Sequence, residues 1–203
     1  MTAKWTLVLI LGLILAGCAG AEVTPTPVAK PGVEGITVID PPVPVGEFTL
    51  VNQSDAEVHV ADLKGQVTLL AFGYTHCPDI CPVTLARFKQ VKGALGEQGD
   101  AVRFLFTSVD GERDTPERLT EYLGYFDPAF VGFTGDEPAA RAFIEQYGGD
   151  FVINDAEGLR KNYSVDHTAS TFLMDAEGRW IRTYEFNTDP NVIAEDILKV
   201  VGA

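Results

Sequence analysis

Hydrophobic and polar positions divide the chain into three stretches. Trp5 to Ala16 is an apolar run of 12 residues behind Lys4. Residues 19 to about 46 show no period and hold Pro25, Pro27, Pro31, Pro41, Pro42 and Pro44. From Glu47 onward, short apolar runs alternate with segments of helical period. Val67 to Phe72 is short, apolar and turn-bounded, as a strand buried on both faces requires. In the segment after it, Val83, Leu85, Phe88 and Val91 form a stripe near helical spacing, and Pro82 suits a first helical turn. This predicts a helix to about Leu95, closed near Gly96.

The remaining pattern extends the alternation. Glu47–Val51 and Val58–Val60 predict a hairpin around the turn Asn52–Asp55. Val102–Val109 predicts a second core strand. Asp114, Thr115 and Pro116 open a helix to about Phe126. Phe130–Thr134 is a short strand, and Asp136 to Pro138 open a helix through Tyr147. Ala169–Met174 and Arg179–Phe186 predict a hairpin, and Thr188 to Pro190 open a last helix to Val201. Strands alternating with helices imply one α/β domain, residues 47–203, with a mixed central sheet, helices on both faces and an added N-terminal hairpin.

The start of the chain sets the compartment. Twelve apolar residues are too few for a helix across about 30 Å of hydrocarbon, but they suit the core of a signal peptide. Leu15-Ala16-Gly17-Cys18 then resembles a bacterial lipobox, where cleavage leaves a lipid-bearing cysteine. The expected organisation is a lipoprotein signal over 1–17, a lipidated, proline-rich tether over 18–46 and the domain outside the cytoplasm on a membrane surface. A formal net charge of −14 on 203 residues excludes a nucleic-acid surface.

With Cys18 assigned to lipid, two of the three cysteines remain, Cys77 and Cys81. A disulfide between them would close too small a loop to stabilise much by chain entropy, so the pair points to chemistry. Both sulfurs lie where the central strand hands over to a helix, whose N-terminus favours thiolate. Two converging thiolates cycle between dithiol and disulfide, or hold a soft metal. Two sulfurs and one nitrogen suit Cu(I) better than structural zinc, which takes four ligands. Three histidines could supply the nitrogen. His59 lies in the first hairpin. His76 adjoins Cys77, so its side chain should diverge from the site. His167 lies in a polar loop, 163–169, before a strand.

Three segments in order, Phe72 to Leu85, Ser108 to Glu117 and Val165 to Thr168, resemble the Sco/SenC/PrrC family over about residues 45–203. That resemblance implies a thioredoxin-like fold and a copper protein tethered to a membrane. It puts the metal ligands at Cys77, Cys81 and His167, with Cys77 and Cys81 bridged in the oxidised state. It implies Cu(I), with Cu(II) as a second valence, a periplasmic copper donor upstream and delivery to the CuA site of cytochrome c oxidase subunit II. Asp79 and Asp110 match positions near the metal, although helix capping and turn formation are the preferred account of them. Gly111 stands where the family often has proline, and 148–162 fits only loosely.

The rival reading is an extracytoplasmic thiol–disulfide oxidoreductase or redox sensor working through Cys77 and Cys81. Against it, three residues separate the cysteines, where thioredoxin motifs have two, and 166–171 contains no proline. A peroxidase would need threonine where Tyr74 stands.

Overall fold

The structure is a computed structural model that describes residues 28–31, 35–156, 158–159 and 162–202. The expected signal peptide and Cys18 lie outside the described residues. Among those described, no helix is long and apolar enough to cross a membrane.

The first strands are β1 (Val28–Pro31), β2 (Ile36–Pro44), β3 (Leu50–Asn52) and β4 (Glu57–Val58). Then come β5 (Val67–Gly73), α1 (Ile80–Leu95), β6 (Val102–Ser108), α2 (Pro116–Gly124), β7 (Val131–Thr134) and α3 (Glu137–Ile144). The last third holds β8 (Phe151–Asn154), β9 (Ser164–His167), β10 (Thr171–Met174), β11 (Arg179–Tyr184) and α4 (Pro190–Val201). One sheet runs in the order β1-β2-β11-β10-β5-β6-β7-β3-β4, and β8 and β9 form a separate ribbon. Strands β5, β6 and β7 are parallel to one another, while β10 and β11 are antiparallel to their neighbours, so the sheet is mixed.

Every residue of β5 is buried, as its unbroken apolar run requires. Its two faces meet different helices. Phe72 packs on Phe143 and Tyr147 from the α3 side and on Phe172 of β10. On the other face Phe88 of α1 packs edge-on against Phe104, which pairs with Leu69. The sheet thus carries helices on both faces.

Three expectations need correction. Residues 36–44 are not tether. They form β2, which lies between β1 and β11 and buries Ile36 and Ile39. The β2–β11 register jumps from Val43↔Trp180 to Val38↔Arg182, so Pro41 and Pro42 fall in the irregularity, where no ladder donor is needed. The N-terminal hairpin is shorter than expected. Leu50 pairs with Val58 and Val51 with Glu57, and Val60 starts a 3-10 turn. Residues 164–167 are not loop, since β9 pairs with β8 in a stretch where no element was expected.

Candidate metal centre

Strand β5 ends at Gly73, and the chain turns through Tyr74–Asp79 into α1. Cys77 lies in the turn and is half-buried. Cys81 lies in the first turn of the helix and is only 1% exposed. Glycine at 73 makes room for this, because a Cβ there would sit 2.7 Å from Cys81 Sγ and 2.7 Å from the Phe106 ring. Tyr74 N donates to Cys81 Sγ at 3.5 Å. Both cysteines are free.

The third donor arrives on the ribbon. Phe151 pairs with His167 at its sheet-proximal end, and Thr168 N donates to Asp150 O at 3.0 Å. His167 Nε2 thereby lies 3.3 Å from Cys81 Sγ. The sulfurs of Cys77 and Cys81 and a ring nitrogen of His167 all lie within 4.8 Å of one another. A soft metal takes sulfur at about 2.3 Å and imidazole at about 2.0 Å, so donors this close can converge on one ion. His167 Nδ1 lies 3.1 Å from Thr168 O, an acceptor, so Nδ1 carries the proton and Nε2 presents its lone pair.

The cysteines are electrostatically unlike. Cys77 is lowered to about 4, first because the Cys81 thiol donates to its thiolate. Burial opposes this, while the backbone N–H groups of Asp79 and Cys81, at the start of α1, reinforce it. Cys81 is pushed up, first by that same thiol donation and then by burial. The resting pair is one thiolate and one thiol, and the helix N-terminus serves the cysteine outside the helix.

Residues of the β6–α2 loop support the site. Asp110 is buried, pairs with Arg113 Nε and accepts from the Tyr163 hydroxyl. Arg113 stacks 3.5 Å from the Tyr163 ring centroid and donates to Tyr163 O at 3.0 Å, just before β9. It also lies over the Tyr74 ring, which meets the His167 ring edge-on at 6.0 Å. The guanidinium thus joins the cysteine turn to the histidine strand. Asp110 is therefore more than a turn residue. Asp79 makes no side-chain capping bond in α1. Thr115, not Asp114, caps α2. Asp114 is fully buried and accepts from Ser108 Oγ at 2.6 Å, Thr75 N at 2.8 Å and Thr75 Oγ1 at 2.7 Å. Sequence reasoning missed the roles of Arg113, Asp114 and Tyr163. The available signal was three carboxylates, Asp110, Glu112 and Asp114, and an arginine within five residues, just after a buried strand.

The other histidines stand apart. His59 contacts Phe48 O and Thr49 Oγ1. His76 diverges from Cys77, as expected, toward Thr75 and Asp114.

With the geometry in place, a family model described as SCO1/SenC matches residues 39–202. Protein SenC of Rhodobacter capsulatus is 32% identical over 152 residues, which cover 75% of this chain and 68% of that protein. The structure of Bradyrhizobium japonicum ScoI with copper bound is similar at TM-score 0.70 and 37% identity, covering 78% of this chain and 99% of that one. A structure of BsSco, described as a member of the Sco family of cytochrome c oxidase assembly proteins with a disulfide switch, is similar at TM-score 0.62 and 25% identity, covering 80% and 95%.

Proposed function

Because this chain belongs to the SCO1/SenC family, we propose that it is a copper metallochaperone. Cys77, Cys81 and His167 hold Cu(I) as cargo, and the acceptor is the cysteine pair of the CuA site in cytochrome c oxidase subunit II. The observation that carries this reading is the convergence of two sulfurs and one imidazole nitrogen, one sulfur already a thiolate. Soft thiolates and imidazole favour Cu(I), and the set falls one short of the four ligands of a closed zinc site. A three-ligand site suits transfer. An incoming thiolate adds before an old ligand leaves, so no bare ion forms. The ligated structure of the Bradyrhizobium relative supports the choice of metal.

The rest of the reading places the protein. Cys18 carries lipid, holds the domain outside the cytoplasm on a membrane, and lets a periplasmic donor load it. The oxidised chain bridges Cys77 and Cys81.

One observation favours a second reading. A thiolate at about 4 beside a buried thiol is also the arrangement of a dithiol reductant, and the BsSco neighbour is described by a disulfide switch. The two are separated with a purified CuA domain. Copper-loaded protein mixed with the reduced domain should transfer copper and leave the CuA thiols reduced. Metal-free dithiol protein that reduces an oxidised CuA domain, while the loaded form transfers nothing, overturns the chaperone reading in favour of the reductase.

A further inference from the structure

The ribbon that carries His167 is tied down at both ends, by different elements. At the Ser164 end the tie is Arg113, through Tyr163 O. At the His167 end it is Arg141 of α3, which meets the other strand. The ladder shows what Arg141 holds. Thr168 N donates to Asp150 O at 3.0 Å, so this bond flanks the rung Phe151↔His167 instead of joining it. In an antiparallel ladder the backbone groups of such a rung point away from the partner strand. The N–H and C=O of Phe151 therefore face the outer edge of β8, where among the described residues no third strand pairs.

Side chains satisfy both groups in place of a strand. Phe151 N donates to Asp150 Oδ1 at 2.7 Å. Phe151 O accepts from Arg141 Nη1 at 3.3 Å and from Nη2 at 3.2 Å. Nη1 also donates to Asp150 Oδ1 at 2.7 Å, which closes the network. Glu137, one turn earlier on α3, accepts from Nη2 at 3.3 Å and orients the fork. The guanidinium lies 4.1 Å from the centroid of the buried Phe151 ring. Helix α3 is a firm support, since Ala140, Phe143 and Ile144 are buried and Phe143 packs on Phe72, the residue before Gly73. Arg141 thus ties the histidine rung to the core that leads into the cysteine turn. As a stabilising contact the tie is weak: the Arg141 side chain is 34% exposed and that of Asp150 70%, and an ion pair so exposed contributes little. Its effect is on position.

We propose that Arg141 is a positioning residue for the third ligand: it fixes the Phe151 rung and so holds His167 Nε2 within reach of Cys81. This rests on the copper reading above, in which His167 is a ligand. A residue that acts through His167 matters to copper only when His167 is there.

Cu(I) affinity would be measured by chelator competition in the reduced full chain, in Arg141→Met, in His167→Ala and in the double variant. Arg141→Met should weaken the wild-type chain about tenfold, the low end of what outer-shell partners contribute. In the His167→Ala background it should change affinity by less than about twofold. A second readout needs no metal. Hydrogen exchange at the Thr168 amide, which bonds Asp150 O beside the rung, should speed up in metal-free Arg141→Met, while exchange in β5 stays as in wild type. Unchanged affinity, equal losses in both backgrounds, unchanged exchange at Thr168, or exchange raised equally in β5 each overturn the positioning role and leave the copper reading standing. A wild type that takes up no Cu(I), or a His167→Ala variant with wild-type affinity, overturns the reading of His167 as a copper ligand, and the positioning role with it.

Discussion

His167 Nε2 lies 3.3 Å from Cys81 Sγ, across 86 positions of sequence. Neither residue reaches the other by local structure. Cys81 is fixed by the turn from β5 into α1, and His167 by the β8–β9 ribbon, which contributes no strand to the main sheet. Their separation depends on what joins ribbon to turn, and three residues test the site that results.

Gly73 is the first. Alanine there would put a methyl 2.7 Å from both Cys81 Sγ and the Phe106 ring. Overpacking of this kind costs about 1–3 kcal/mol, and here the sulfur is one of the groups that must move. Gly73→Ala should lower stability by that amount in urea denaturation and weaken Cu(I) binding. A variant with wild-type affinity would show that the Cys81 position is not set by β5.

Arg113 is the second. Its partner Asp110 has a side chain only 1% exposed. Breaking a buried pair from one side costs about 3–5 kcal/mol, mostly by stranding the other charge. Arg113→Met should lose about that much, and adding Asp110→Asn should recover part of it. Equal stability of the single and double variants in urea melts would contradict the pairing.

Cys77 is the third. Its thiol is lowered to about 4 from an ordinary 9.0, so the thiolate persists at every pH above about 4. Alkylation by iodoacetamide, read by mass spectrometry, should proceed at Cys77 with a nearly constant rate from pH 6 to 8 and slow only toward pH 4. An unperturbed thiol would speed up about 100-fold over those two pH units. Cys81, raised and buried, should stay unmodified in the folded protein. A steep rise at Cys77 between pH 6 and 8 would contradict the shared proton.

The sequence displayed the cysteine turn because a buried strand and an amphipathic helix leave strong local patterns, and both elements formed where the pattern put them. It hid β2 because prolines mark a linker unless they fall in a register irregularity, which only the partner strand β11 reveals. It hid β8 and β9 for a related reason. A two-stranded ribbon of four residues each, partly exposed, has too short a run to show alternation, although Val165 and Phe151 are both buried. His167 was named as a ligand from the family pattern, since its approach to the cysteines depends on that hidden ribbon. Thr115, directly before Pro116, caps the helix by accepting from Arg118 N, and the Asp114 carboxylate one residue earlier enters the core, which no local pattern announces. At Gly111 the loop packs backbone on backbone. A Cβ there would lie 1.8 Å from the Gly135 carbonyl oxygen, so the proline common in the family does not fit this loop as it stands.

The central claim is that Cys77, Cys81 and His167 form one copper site. The most direct measurement is a titration of the reduced protein with Cu(I) against a competing chelator, with Cys77→Ser, Cys81→Ser and His167→Ala beside the wild type. The account predicts one ion per wild-type chain and a loss of about 100-fold or more in each variant, beyond the 10–100-fold typical for an outer-shell partner. Wild-type affinity in His167→Ala would contradict it and leave the cysteine pair as a redox centre alone.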